Sequence, residues 1–186
     1  MTSSYNATTT AAELVADLTA RIKGKVILTT GVSPGSLGAT FAEALAKAQP
    51  AVLILAGRNP AKVDETAKAI TATHPGVNVR TLTLDLGSLA KVRQAAAEVN
   101  SWEDVKHINV LVNNAGIMAT EYTRSPDGFE GQFATNHLGP FLFTNLIMDK
   151  ILASHKPRVV NVSSDGHRLH PIRFFDYNFS VSYTFE

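Results

Sequence analysis

Residues 28–38 read Leu-Thr-Thr-Gly-Val-Ser-Pro-Gly-Ser-Leu-Gly. Apolar residues precede the three glycines, Gly31, Gly35 and Gly38, and residues 39–46 after them have a sequence typical of a helix. A glycine turn between a strand and a helix N-terminus lets the backbone approach a pyrophosphate, which the free N–H groups of the helix then bind. The spacing is Gly-x3-Gly-x2-Gly rather than the commoner Gly-x-Gly-x-x-Gly, so the stretch predicts either a nucleotide site or only a tight turn.

The composition indicates one compact domain and excludes several classes of partner. The chain has 186 residues, of which 45% are hydrophobic, and this is enough for a sizeable core. Its 17 basic and 16 acidic residues are spread evenly and give a formal net charge of +1, which implies neither nucleic acid nor an anionic membrane as a partner. The absence of cysteine fits a reducing compartment, and the sequence has no signal-peptide or membrane-spanning pattern, so we expect a cytoplasmic protein.

The first 24 residues predict a polar segment and a short helix ahead of the main domain, which covers residues 25–186. Thr10 and Glu13 have the spacing of a capping box, in which each side chain accepts an N–H at the start of a helix. Apolar residues then recur at helical spacing as far as Gly24. We interpret this segment as a helix that packs against the domain.

Strand and helix patterns alternate along the rest of the chain. Five apolar runs predict strands, at residues 25–30, 51–56, 77–86, 108–112 and 159–162. The segments between them predict helices, the last of which is a long helix over residues 128–154 that contains Gly139 and Pro140. Repeated strand–helix units need crossover connections that are nearly always right-handed, so the pattern predicts an α/β fold with a doubly wound parallel sheet, the Rossmann fold.

Polar residues and glycines follow the predicted strands, at the rim where such sheets bind ligands. They are Thr30-Gly31, Gly57-Arg58, Asp85, Asn113-Asn114 and Ser163-Ser164. Arg58 ends the second strand, where a protein that prefers NAD usually has an acidic residue. Because a guanidinium can pair a ribose 2′-phosphate bidentately, Arg58 predicts NADP as the cofactor and disfavours NAD; the alternative is a solvated loop charge.

Four further motifs follow the glycine turn. They are Asp85-Leu86, Asn113-Asn114-Ala115-Gly116, Asn136-His137-Leu138-Gly139 and Val160-Asn161-Val162-Ser163-Ser164. With the turn, and in this order, they resemble the motifs of the short-chain dehydrogenase/reductase family, and within it the branch of retinol-dehydrogenase-like and related fungal enzymes. Singly, Asp85 fits a helix cap and Asn136 an ordinary polar helix residue, but the shared order favours a functional role.

The resemblance implies a cofactor site and a reaction. The residues that it implies for cofactor binding are Gly31, Ser33, Gly35, Ser36, Leu37, Gly38, Arg58, Asp85, Leu86, Asn114, Ala115 and Gly116. Either Gly35 or Ser36 takes the place of the family's middle glycine. The implied reaction is hydride transfer between a nicotinamide and a small carbonyl or alcohol substrate, in which Ser164 hydrogen-bonds the substrate oxygen and Asn136 positions a water that relays protons.

The chain departs from the family at the proton donor. The family uses a tyrosine followed four residues later by a lysine, and no tyrosine of this sequence has that neighbour. Tyr177 stands at a serine-to-tyrosine distance seen in many members, but Val181 follows it, so we interpret Tyr177 as a loop residue. We expect a C-terminally truncated chain without the last helix and strands of the fold, and the pair Val181-Ser182 is what a splice donor encodes in frame.

Two hypotheses about function follow. In the first, the protein is an NADP-dependent oxidoreductase by family, and this chain is inactive because the tyrosine–lysine pair is missing. In the second, it is a non-catalytic module that binds a nucleotide or pairs with another chain through the predicted helix 128–154. His167 and His170 have no cysteine or carboxylate cluster around them, so we expect loop residues and no metal site. The fifth strand, residues 159–163, is expected to be an exposed sheet edge.

Overall fold

Residues 5–180 are described by the computed structural model, and they contain one five-stranded parallel sheet. The strands are β1 Val26–Thr30, β2 Val52–Gly57, β3 Val79–Thr83, β4 Val110–Asn113 and β5 Arg158–Asn161. Their order across the sheet is β3-β2-β1-β4-β5, which confirms the predicted doubly wound parallel sheet. Tyr183 and the pair Val181-Ser182 lie outside the described residues.

Helices fill the connections between the strands. They are α1 Ala11–Ile22, α2 Leu37–Ala46, α3 Pro60–Thr73, α4 Leu89–Ser101, α5 Gly131–Phe133, α6 Gly139–Leu146 and α7 Met148–Leu152. A π-helical turn, Ala134–Leu138, joins α5 to α6, and a 3-10 turn, Asp165–Arg168, follows β5. The predicted capping box is present at α1, because the Thr10 N–H donates to Glu13 at 2.7 Å and the Thr10 hydroxyl accepts from the Glu13 N–H.

The prediction of one long helix over residues 128–154 is confirmed in part: helical backbone runs from Gly131 to Leu146 with a π-helical turn inside it, and resumes over Met148–Leu152 after an interruption at Ile147. Pro140 has no N–H, so the carbonyl of Asn136, four residues earlier, cannot receive the α-helical hydrogen bond, and the backbone takes the π-helical turn there. A second break lies at Ile147, with φ −103° and ψ 12°, where the preceding carbonyl accepts from the side-chain amide of Asn100 at 2.9 Å. Any subunit contact through this region therefore involves a helix of residues 131–146 with a π-helical turn, followed by the short helix α7.

Both faces of the sheet are buried, which explains why the apolar runs of its strands do not alternate. Successive residues of β1 enter opposite core clusters: Leu28 belongs to the cluster with α4, α6 and α7, and Ile27 to the cluster with α1, α2 and α3. All five residues of β1 are buried, because β2 and β4 flank this strand and helices cover both of its faces. The sheet is thus built around β1.

The strand β5 lies at an edge of the sheet, as the sequence predicts. It pairs with β4 on one side, and all four of its residues are exposed. The apolar side chains of Val159 and Val160 are 38% and 44% exposed. Within residues 5–180, no helix combines the length and apolar character that crossing a membrane requires.

Candidate active site

Two adjoining clefts open at the carboxyl ends of the strands. β1 lies between β2 and β4, where the connections of the sheet diverge and a ligand crevice is expected. The smaller cleft, of about 500 Å³, lies at the ends of β1, β2 and β3, and the larger, of about 840 Å³, lies at the ends of β4 and β5. Residues 114–117 line both clefts, so molecules bound in the two would meet there.

The glycine turn after β1 forms one wall of the smaller cleft. A Cβ on Gly31 would lie 2.7 Å from the Cα of Ala115, and a Cβ on Gly38 would lie 2.5 Å from the carbonyl oxygen of Gly31. Close backbone approach therefore requires glycine at both positions. Gly35 has open space around it but a φ of +74°, so the left-handed backbone favours glycine there.

Ser36 begins the helix α2 beside this turn. Its hydroxyl accepts from the N–H of Ala39 at 3.2 Å and donates to the carbonyl of Gly31 at 3.1 Å. The turn residues that line the smaller cleft are Gly31, Ser33, Ser36 and Leu37. Of the two candidates for the middle glycine position, Ser36 faces the cleft and Gly35 supplies the turn.

The predicted motif Asn114-Ala115-Gly116 is fixed directly against the glycine turn. The buried hydroxyl of Thr30 accepts from the N–H groups of Asn114 and Ala115, at 3.1 and 3.0 Å. The side-chain amide of Asn114 donates in return to the carbonyls of Thr30 and Gly31, at 2.9 and 3.2 Å. These bonds lock the ends of β1 and β4 together, so the two motifs form one wall.

The opposite rim of the smaller cleft carries Arg58 and Asp85. The Arg58 side chain is exposed and forms no ion pair within residues 5–180. The Asp85 carboxylate is already held, because it accepts from the N–H of Gly87 at 3.1 Å and lies 3.1 Å from the ammonium group of Lys91. Leu86, next to it, is buried and also lines the cleft.

Lys62 lines the same cleft and was missed by the sequence analysis. It lies in the first turn of α3, four residues after Arg58. The sequence pattern that could have predicted it is a second basic residue four positions after Arg58, where the second strand is followed by a helix. The cleft is therefore lined by two cationic side chains, Arg58 and Lys62, of which the motifs predicted only Arg58.

Asn136 lies in the π-helical turn and lines the larger cleft. Its side chain accepts from the N–H of Ile117 at 2.8 Å and donates to the carbonyl of Ile117 at 2.7 Å. The amide thus holds the segment after the Asn-Asn-Ala-Gly motif in place, which occupies both of its polar ends. Pro140 cannot donate to the Asn136 carbonyl, so this carbonyl lacks the usual α-helical hydrogen bond.

Ser164 lines the larger cleft at the end of β5. Its hydroxyl accepts from the N–H of Gly166 at 3.1 Å, which caps the 3-10 turn. Tyr177 packs its ring 5.8 Å from that of Phe133 and lies outside the lining of both clefts, in agreement with its interpretation as a loop residue. His167 donates to the Ser164 carbonyl at 2.7 Å, a contact within its own loop.

One wall of the larger cleft is aromatic, and the sequence analysis missed it. The ring of His137 stacks between those of Phe133 and Phe141, with centroid distances of 5.5 and 6.3 Å. His137, Phe141 and Met118 line the cleft, and the side chains of Phe141 and Met118 are 64% and 82% exposed. The four-residue spacing of the rings was the signal. The cleft that holds Ser164 thus offers an apolar surface beside its polar groups.

Comparisons with known proteins identify the family. Residues 25–180 match the family model described as short chain dehydrogenase. The chain belongs to the short-chain dehydrogenase family. This short-chain dehydrogenase is 37% identical over 180 residues to oxidoreductase fscI of Fusarium equiseti, and the match covers 94% of this chain and 69% of fscI. Human retinol dehydrogenase 13 is 39% identical over 162 residues, which cover 87% of this chain and 48% of that protein.

A solved structure has a similar fold. The crystal structure of an uncharacterised protein from Mycobacterium paratuberculosis is 35% identical to this short-chain dehydrogenase, with a TM-score of 0.70, and the match covers 89% of this chain and 57% of that one. The predicted family and its retinol-dehydrogenase-like and fungal branch are therefore confirmed. The chain spans between about half and about two thirds of the length of these three proteins.

Proposed function

We propose that this short-chain dehydrogenase is by family an NADP-dependent oxidoreductase, whose reaction transfers hydride between a nicotinamide and a small carbonyl or alcohol, and that the 186-residue chain by itself binds the cofactor without turnover. The observation that carries the proposal is the pair of clefts that share residues 114–117. A dinucleotide in the smaller cleft would extend across this shared wall towards Ser164 in the larger one. When bound, NADPH would supply the hydride.

The residues of the smaller cleft fit such a cofactor. Gly31 and Gly38 let the turn pack closely against Ala115 and against itself, and α2 begins at this cleft with Ser36 and Leu37, where the start of a helix suits a phosphate. Arg58 offers a planar cation for a ribose 2′-phosphate, and the one carboxylate on the rim, that of Asp85, is paired with Lys91. We therefore propose NADP in preference to NAD.

Binding of the two cofactors tests this proposal. Titration of the purified chain should give tighter binding of NADPH than of NADH, and Arg58→Ala should reduce the difference by about 1–3 kcal/mol, the scale of a charge-assisted hydrogen bond. Arg93→Ala, an exposed change on α4 away from the cleft, is the matched control. Equal affinity for both cofactors, before and after Arg58→Ala, would remove Arg58 from the site.

The proposed chemistry in the larger cleft uses hydrogen bonds from this chain. The Ser164 hydroxyl would donate to the substrate oxygen as negative charge develops on it. Asn136 would keep the segment at Ile117 in place and offer its carbonyl to a water. The aromatic wall at His137 and Phe141 supports an apolar substrate. One relative is named as a retinol dehydrogenase, and retinol is an apolar alcohol. We therefore propose an apolar carbonyl or alcohol as the substrate.

The second candidate function is a non-catalytic module. It is favoured by one observation, that the 186 residues contain no tyrosine followed four residues later by lysine. Such a chain would bind the nucleotide, and would pair with a second copy or a longer relative through the segments of residues 128–154 that expose Phe141 and Leu152. For either function we propose a cytoplasmic location, which the absence of cysteine supports.

A further inference from the structure

Lys62 occupies a position where the helix itself disfavours a cation. It lies in the first turn of α3, whose N-cap residue Asn59 accepts from the Lys62 N–H at 3.2 Å. The N-terminus of a helix carries partial positive charge, so acidic side chains are the stabilising choice there. The first turn of α3 contains no acidic residue. A local electrostatic rule is thus broken at this point of the chain.

Arg58 adds a second cation beside it. Arg58 and Lys62 line the same cleft, and neither takes part in the ion pairs found within residues 5–180. The nearest candidate for compensation in the cleft lining is Asp85, and its carboxylate is held by Lys91 and by the N–H of Gly87. The cleft lining at the corner between β2 and α3 therefore carries two cations, neither of which is paired with a carboxylate within residues 5–180. Uncompensated violations of local rules are expected where a ligand supplies the missing charge.

We propose that Lys62 is the second cation for the ribose 2′-phosphate and determines specificity for NADP together with Arg58. This inference rests on the proposed function. A phosphomonoester carries between one and two negative charges and three acceptor oxygens, more than one guanidinium satisfies. Arg58 suits bidentate pairing, and the flexible ammonium group of Lys62 adds a point charge from the first turn of α3. The 2′-hydroxyl of NAD carries no charge, so Lys62 contributes to the binding of NADP alone.

The experiment compares ligands that differ only at this phosphate. Isothermal titration of the 186-residue chain with 2′,5′-ADP and with 5′-AMP measures the 2′-phosphate contribution without a substrate or a reaction. For Lys62→Ala we expect the Kd of 2′,5′-ADP to rise roughly five- to twentyfold and that of 5′-AMP to stay unchanged. Lys62→Arg should retain most of the affinity. Lys68→Ala, an exposed change two turns further along α3, should alter neither Kd.

The outcomes separate this inference from the proposed function. If the unmodified chain binds 2′,5′-ADP no better than 5′-AMP, the NADP preference itself fails. If the unmodified chain does prefer 2′,5′-ADP and Lys62→Ala keeps that preference, Lys62 alone is excluded. An equal loss for both ligands in Lys62→Ala, checked against its thermal unfolding, would show a structural role and overturn the inference. Inorganic phosphate that binds as tightly as 2′,5′-ADP would show a free-phosphate site and would also overturn it.

Discussion

The two edges of the sheet differ in whether charged side chains protect them from pairing with another chain. At the β3 edge, the Arg80 guanidinium forms two hydrogen bonds with Asp104, at 3.1 and 2.5 Å, and lies 4.7 Å from the centre of the Trp102 ring. At the β5 edge, all four residues are exposed, and two consecutive valines stand among them. Charged groups protect an edge strand from pairing with another chain, whereas an open apolar edge invites such pairing.

The two clefts differ in the same way, because the smaller lies towards the protected β3 edge and the larger beside the exposed strand β5. The smaller cleft lies between β1 and the β3 edge, and bonds between Thr30 and Asn114 hold together the wall that follows β1 and β4. The cleft of Ser164 lies beside β5, and Ser164 is itself exposed. Under the proposed function, nucleotide binding and catalysis would depend on separate parts of this fold. We therefore expect binding in the 186-residue chain to be separable from turnover.

The largest expected effect is on turnover. The purified chain should oxidise NADPH with a panel of aldehydes, ketones and quinones at a negligible rate, because a general acid contributes about 10²–10⁴-fold and no tyrosine–lysine pair supplies it. Spectrophotometry at 340 nm, on a preparation that binds NADPH, measures this. Turnover that persists in the chain and disappears in Tyr177→Phe would identify Tyr177 as the acid and contradict its interpretation as a loop residue.

The next effect concerns the wall of the smaller cleft. Gly31→Ala should lower the free energy of unfolding by about 3 kcal/mol, because the backbone has a φ of +76° and the new Cβ would lie 2.7 Å from the Cα of Ala115. Gly76→Ala is the matched control, since a Cβ there has no atom within 4 Å, and its effect should stay within about 0.5 kcal/mol. Urea denaturation measures both, and similar losses in the two variants would contradict the close approach.

A smaller effect is expected from the open edge. The chain should self-associate at roughly tens of micromolar, and Val160→Lys should weaken the association, because a charged side chain on an edge strand opposes pairing with a second copy. Leu152→Lys, which changes an apolar residue on α7 that is 66% exposed, tests association through the helical segments instead. Analytical ultracentrifugation distinguishes the two. If the unmodified chain remains a stable monomer at this concentration, self-association through the β5 edge is contradicted.

The smallest effect is expected at the β3 edge, where Arg80 pairs with Asp104. Hydrogen bonds from Arg80 hold the pKa of Asp104 below its ordinary value. A lowered carboxyl pKa contributes stability above the unfolded-state pKa, and this contribution is lost as the pH falls through the folded-state value. Asp104→Asn should therefore reduce the loss of stability between about pH 5 and pH 3. The urea midpoint measured across this range checks the change, which should be small because Asp104 is largely exposed.

Sequence patterns of short range were reliable guides to this fold. The apolar run of β1, the glycine turn and the capping box at Thr10 lie where they were predicted, because each depends on residues within a few positions of one another. The long helix predicted over residues 128–154 is present over residues 131–152, but its π-helical turn and its interruption at Ile147 were not predicted. The α-helical hydrogen bond is missing where Pro140 lacks an N–H, and at Ile147 the backbone turns although its N–H still donates to the carbonyl of Phe143 at 3.2 Å.

Sites made of distant residues needed the fold. Motif order was enough to bring Gly31, Arg58, Asp85 and Asn114 to one rim, because parallel strands all end at the same edge. Lys62 lies at the same cleft only because α3 begins there, directly after β2. The contact of Asn136 with Ile117 likewise depends on the π-helical turn.

The amino-acid sequence alone was sufficient for the family, the parallel sheet and the motifs at the ends of its strands, since these follow from local periodicity and from the order of short motifs. Tertiary structure decided which groups are still available to a ligand. The Asp85 carboxylate is taken by Lys91, the Asn136 amide is taken by Ile117, and the cations of Arg58 and Lys62 have no ion-pair partner within residues 5–180. The physical reason is that a polar side chain bonds with whatever group the fold places within about 3 Å of it, and separation along the chain does not encode that distance.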